Sequence, residues 1–139
     1  MKTLHILALA AVPAICVSLT SCSRSAADVM TEACDIIKEA SEALSKATPA
    51  NAKDVADEIN SLAEDMEALA KYTKENDEAL EAEANAMTPA DKEKMEQEFM
   101  AAAIAYLGAH QKAQESGAFQ STELTNAIKR FDQAVSGLK

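Results

Sequence analysis

Thr122-Glu123-Leu124-Thr125-Asn126-Ala127-Ile128-Lys129-Arg130-Phe131-Asp132-Gln133-Ala134-Val135-Ser136-Gly137-Leu138 is the stretch that decides the fold. Leu124, Ile128, Phe131, Val135 and Leu138 recur at 4-3-4-3 spacing. An α-helix turns once every ~3.6 residues, so these five side chains share one stripe, whereas a strand would alternate every second residue. Ser121 or Thr122 can cap the segment, and Glu123 complements the positive end of the helix. A single apolar stripe is too narrow to stand alone in water and calls for partner helices.

The chain upstream supplies three such partners. Met30, Ala33, Ile37, Ala40, Leu44 and Ala47, widened by Ile36 and Ala43, predict a helix from about Ala26 to Ala47, with Ser25 as N-cap and Asp28 in its first turn. Thr48-Pro49 ends this helix and opens the next, because proline disfavours helical geometry in the residue before it yet suits a first helical turn. Ala52, Val55, Ile59, Leu62, Met66 and Leu69 carry the second segment from Pro49 towards Met87. Its stripe fades through Lys74-Glu75-Asn76-Asp77 and returns as Leu80, Ala84 and Met87, a pattern compatible with a continuous helix or with a bend near residues 74–78.

Thr88-Pro89-Ala90-Asp91 repeats Thr48-Pro49-Ala50-Asn51 forty residues on. Few other positions match, so shared helix-start chemistry explains the likeness better than an internal repeat. The third segment runs from Pro89 to about Ser116, with Met95, Phe99, Ala102, Tyr106, Ala109 and Ala113 on its stripe and Met100, Ile104 and Leu107 beside it. The small residues Ala101, Ala102, Ala103, Ala105, Gly108 and Ala109 would let a neighbouring helix come close. Gly117 supplies the stop. The expected fold is all-α: one domain over residues 26–139, an antiparallel bundle of three to four amphipathic helices.

Composition agrees with helix and narrows function. The 139 residues include three Gly, three Pro and no Trp, and the formal charge is −10. Such a balance argues against nucleic acid and against adhesion to anionic headgroups. The candidate chemistry is sparse. His110 has Leu107 and Tyr106 three and four residues before it, so the Glu-x-x-His pairing of di-iron bundles is absent, and an edge histidine is the expected reading. Met30 and His110 would be the haem ligands of a haem-binding bundle, but the last helix has no histidine and no Cys-x-x-Cys-His is present. Met66, Met87, Met95 and Met100 are too dispersed for a copper motif and read as core fillers. Glu75 to Glu83 is acidic but lacks a calcium-loop pattern, and reads as a solvated face. With no nucleophile elbow and no phosphate-binding glycine loop, a non-enzyme without cofactor or metal is expected.

The amino terminus says where such a bundle would sit. Lys2 and His5 precede a mostly apolar run from Ile6 to Leu19, broken by Pro13 and Ser18, and Leu19-Thr20-Ser21-Cys22 follows. At about 14 residues the run is short of the ~20 that span a bilayer. This order of weakly basic start, apolar core and Leu-small-small-Cys resembles the signal peptide of bacterial lipoprotein precursors. The resemblance covers residues 1–22. It implies a signal over residues 1–21, cleavage between Ser21 and Cys22, a diacylglyceryl group on the Cys22 thiol and usually a further acyl group on the new amino terminus. Residues 22–25 then form the lipidated anchor and tether. Ser23 in place of Asp implies the outer membrane over the inner one. An ordinary signal cut elsewhere would instead leave Cys22 a plain thiol.

Loss of Lys2 from 13 basic against 23 acidic side chains takes the net charge from −10 to −11. Cys16 leaves with the signal, so Cys34 alone remains as a free thiol, as a buried apolar filler or as one half of a disulfide between two chains. The functional expectation is a lipid-anchored, non-enzymatic envelope lipoprotein facing the periplasm or the exterior. Its partners are the membrane, through the lipid, and a protein. A bundle holding haem, a metal or a small apolar molecule is the alternative, and a chaperone-like or inhibitory lipoprotein with an acidic face is a third reading.

Overall fold

A computed structural model describes residues 23–138, which form one all-helical bundle. The leader, the Ser21–Cys22 cleavage point and Cys22 lie outside the described residues. The five α-helices are α1 (Ala26–Ser45), α2 (Ala52–Glu75), α3 (Asp77–Ala86), α4 (Pro89–Glu115) and α5 (Thr122–Ser136), with a 3-10 turn at Ala118–Gln120 before α5. No strand occurs among the described residues.

Each helix start has a local cause. Ser25 and Asp28 form a reciprocal capping box on α1: the Asp28 amide donates to Ser25 Oγ at 3.1 Å, and the Ser25 amide to Asp28 Oδ2 at 3.0 Å. The two Thr-Pro-Ala signals behave differently. Thr88 Oγ1 accepts from the Asp91 amide, which sets Pro89 at the first position of α4. In the first copy the fourth residue is Asn51, whose amide can donate as well as accept. Asn51 Oδ1 takes the Thr48 amide at 2.7 Å and Asn51 Nδ2 donates back to the Lys46 carbonyl at 3.0 Å. Pro49 and Ala50 are thereby held in a turn, and α2 starts at Ala52 rather than at Pro49.

Of the two readings left open for the second segment the break holds, and it forms two helices parted at Asn76. Asn76 adopts φ −119° and ψ 20°, and its Nδ2 donates to the Tyr72 carbonyl at 2.9 Å. A side-chain amide that competes for a helix carbonyl favours a break at that point. Gly117 ends α4 with φ 83°, a left-handed conformation that glycine adopts without strain.

α1 and α2 form one antiparallel hairpin, with Arg24 beside Tyr72 at one end and Lys46 beside Asn51 at the other. α4 and α5 form a second hairpin, with Tyr106 against Phe131. Between hairpins the closest neighbours are α1 with α4 and α2 with α5. These run parallel. The Ser116 hydroxyl reaches the Ala47 carbonyl near the ends of α4 and α1, while Met30 and Met95 line one groove near their beginnings. Arg130 pairs with Glu64 and Glu67, and a Cβ on Gly137 would meet Ala70. The antiparallel arrangement expected from the short connections therefore holds only within each hairpin. The cause is α3, which packs on both α1 and α2 and carries the chain past the beginning of α1, so that α4 lands beside α1.

The core is apolar and rich in alanine, with Phe131, Leu44, Ile59, Met66, Leu69 and Leu124 its largest fully buried side chains. No polar side chain is buried among the described residues. Burial of a Leu, Ile or Phe side chain contributes roughly 1.5–3 kcal/mol, so these few residues dominate cohesion. Cys34 belongs to this core as a free thiol, and burial raises its pKa.

Candidate functional site

Two surfaces stand out. The first is an apolar stripe on the outer side of α4. Met100, Ile104 and Leu107 are 62, 63 and 67% exposed, although they follow the 4-3 spacing of a buried helix face. Ala102, Ala109 and Ala113 of the same helix are buried, so α4 is apolar on two sides and only one faces the bundle. Space remains open over Gly108, where an added Cβ would meet nothing within 4 Å. The small residues expected to receive a neighbouring helix thus divide: Ala102 and Ala109 are buried in the core, Ala103 is half-buried, and Ala101, Ala105 and Gly108 face outward. Glu93, Glu96 and Gln97 edge the stripe at its amino-terminal end, around a shallow depression that includes Met100 and Ile104. Water gains nothing from contact with three adjacent large apolar side chains, and patches of this kind mark interaction sites.

The second surface is a groove of about 550 Å³ at the end of the bundle where the chain enters. Val29 and Met30 of α1, Leu80 of α3, Phe99 of α4 and Leu138 beyond α5 line it. Asp77 and Glu81 stand on its border. The entering chain is fastened beside it. The Arg24 amide donates to Tyr72 Oη at 2.8 Å, and that hydroxyl donates back to the Arg24 carbonyl at 3.3 Å. The Arg24 guanidinium lies 5.4 Å from the Tyr72 ring centroid, with Nε 3.4 Å from Glu32. The Ala26 amide donates to Glu83 Oε2 at 2.9 Å.

The remaining candidates do not assemble into a reactive centre. His110 stacks edge-on against Phe119 with ring centroids 4.6 Å apart. Met30 lines the groove with Phe99, and His110 is eleven residues further along α4, roughly 16 Å at the helical rise, so the structure does not bring the two haem candidates together. Met66 is buried and Met100 exposed, with Met87 and Met95 between these extremes. Of the acidic run, Glu75, Asp77, Glu78, Glu81 and Glu83 face solvent while Leu80 turns inward. No group of three potential metal ligands occurs among the described residues.

Three further polar contacts tie helices together. Arg130 Nε and Nη2 donate to the two carboxylate oxygens of Glu67 at 2.8 and 2.9 Å, a bidentate pair that holds the Glu67 carboxyl below its usual range. Tyr106 Oη donates to Asp132 Oδ1 at 2.9 Å, and burial, followed by the Asp132 charge, pushes the phenol well above its ordinary value. Ser116 joins α4 to the end of α1.

Sequence reasoning placed Met100, Ile104 and Leu107 beside the core stripe and missed that they face away from it. The available signal was that α4 carries two apolar stripes while the other helices carry one. The groove had no local signal, because its walls come from segments far apart in the chain.

No helix among the described residues is long and apolar enough to cross a membrane. No family model, curated protein or solved structure matches this chain.

Proposed function

We propose that the bundle is the non-enzymatic body of a lipid-anchored envelope protein, which presents the outer face of α4 to a protein partner. The observation that carries the reading is the exposed Met100–Ile104–Leu107 stripe, three large apolar side chains left in water. The acidic edge formed by Glu93 and Glu96 favours a partner with apolar residues flanked by basic ones. Four long helices, with α3 as a crossover, make the rigid support for that face. The Leu19-Thr20-Ser21-Cys22 sequence motivates the anchor, with cleavage before Cys22 and a lipid on its sulfur. Two or more acyl chains hold a protein to a bilayer firmly. The location proposed is the outer membrane of the cell envelope, facing the periplasm or the exterior.

Two measurements test this. Growth of a bacterial host on a palmitate analogue labels the wild type and not Cys22→Ala; an unlabelled wild type removes the anchor. In a pull-down from envelope extract, a basic partner kept by the wild type and lost by Met100→Ser/Ile104→Ser/Leu107→Ser, at unchanged circular dichroism, supports the interface. Equal retention by both proteins, or none by either, overturns it.

The apolar groove favours a second reading, a bundle that binds a small apolar molecule. A bound mass that survives purification of Cys22→Ala under native mass spectrometry supports this reading, and a bare protein mass removes it.

A further inference from the structure

The groove at the entry end has a candidate occupant within reach. We propose that it shelters one acyl chain carried by the protein's own Cys22 whenever the body is away from a bilayer. The inference rests on the lipid-anchor reading above and adds where one chain goes.

Position is the first argument. Ala26 stands on the groove wall, four residues after Cys22. At ~3.3–3.6 Å per residue the backbone between them spans at most about 14 Å. Arg24 is held on Tyr72 and the Ala26 amide on Glu83, so the chain is fixed beside the groove two residues after Cys22. An acyl chain on Cys22 therefore starts within reach of the groove.

Size and chemistry are the second. A volume of about 550 Å³ lies within the range of roughly 300–1,000 Å³ typical of small-ligand sites, and the walls are built of Val29, Leu80, Phe99 and Leu138. Charge selects the source. Asp77 and Glu81 at the border, on a chain of net charge −10, repel the carboxylate of a free fatty acid and the phosphate of a phospholipid. An acyl chain bound as a glyceryl ester on a thioether has neither charge.

The groove replaces water around the chain, not bilayer, so its hold matters only off the membrane. A chain in lipid tails is already in apolar surroundings and gains nothing by moving.

The test uses the full chain produced in a bacterial host fed a palmitate analogue that carries a diazirine and an alkyne. The purified protein is irradiated without vesicles and digested, and adducts are mapped by mass spectrometry. Intramolecular adducts from the Cys22 lipid to peptides holding Leu80 or Phe99 are expected. Ala84→Trp, which fills the groove from α3, lowers them several-fold while the label stays on Cys22 and the melting temperature holds. A labelled Cys22 whose adducts lie only on other molecules, or an adduct pattern unchanged in Ala84→Trp, overturns the sheltering alone. An unlabelled Cys22 overturns the lipid anchor and the sheltering with it.

Discussion

The Ser116 hydroxyl lies 2.8 Å from the Ala47 carbonyl oxygen and the same distance from that of Ala113, and its oxygen accepts the Ala118 amide at 3.2 Å. One side chain therefore ties the last turn of α4, the end of the first hairpin and the 3-10 turn, across 69 positions of sequence. Ser116→Ala leaves the Ala47 carbonyl without this donor at a partly buried position. The expected cost is about 1–2 kcal/mol, read as a shift of the urea midpoint at unchanged m-value.

Phe131 is fully buried and meets Tyr106 with ring centroids 5.4 Å apart. α4 and α5 are not among the closely packed helix pairs, so these two rings fill the gap between them. Phe131→Ala removes more than area, since the wider interhelix space cannot collapse. The loss expected is about 3–5 kcal/mol in denaturant titration, whereas Ile104→Ser on the exposed face stays within about 0.5 kcal/mol.

The Arg130–Glu67 pair sets a pH signature. The Glu67 carboxyl is depressed in the folded protein, so its contribution is present above the ordinary carboxylate value of about 4.3 and is lost as pH falls through the lower folded value. The stability gap between wild type and Glu67→Gln is accordingly level from pH 7 to about 5 and closes below about 4. Both partners are exposed, so the gap is small. Thermal melts of the two proteins across that range check it.

Cys34 is 2% exposed and its thiol is pushed up by burial. The thiolate is the reactive form, so Cys34 reacts with an alkylating reagent far more slowly in the native protein than in urea. On a non-reducing gel, Cys16→Ala/Cys22→Ala, which keeps Cys34 as its one thiol, is expected to run as a monomer after exposure to air. A covalent dimer would show that Cys34 is reached in the folded state.

What the sequence made legible was local. Ala52, Val55, Ile59, Leu62, Met66 and Leu69 were all assigned to one face, and all six are buried. Leu124, Ile128 and Phe131 behave likewise; Ser25 caps α1 as expected, and of Ser121 and Thr122 it is Ser121 that caps α5. Periodicity failed where the decision is made between helices. Nothing at Met100, Ile104 or Leu107 tells which of two apolar sides of α4 meets a neighbour. The likeness of the Thr48 and Thr88 signals hid the difference between the side chain of Asn51, which donates to a carbonyl, and that of Asp91, which only accepts. Side-by-side stacking of the hairpins depends on the path of α3, which no stripe encodes. The groove inherits that illegibility, because it exists only once α3 has passed under α1.

The clasp of Tyr72 and Glu83 on the first described residues has a mechanical meaning. A slack leash fixes only how far a body can stray; a clamped stalk also fixes which way it points. Tension applied at Ser23 is borne first by the hydroxyl of Tyr72 and the carboxylate of Glu83, and passes into α2 and α3 before it loads the core of α1.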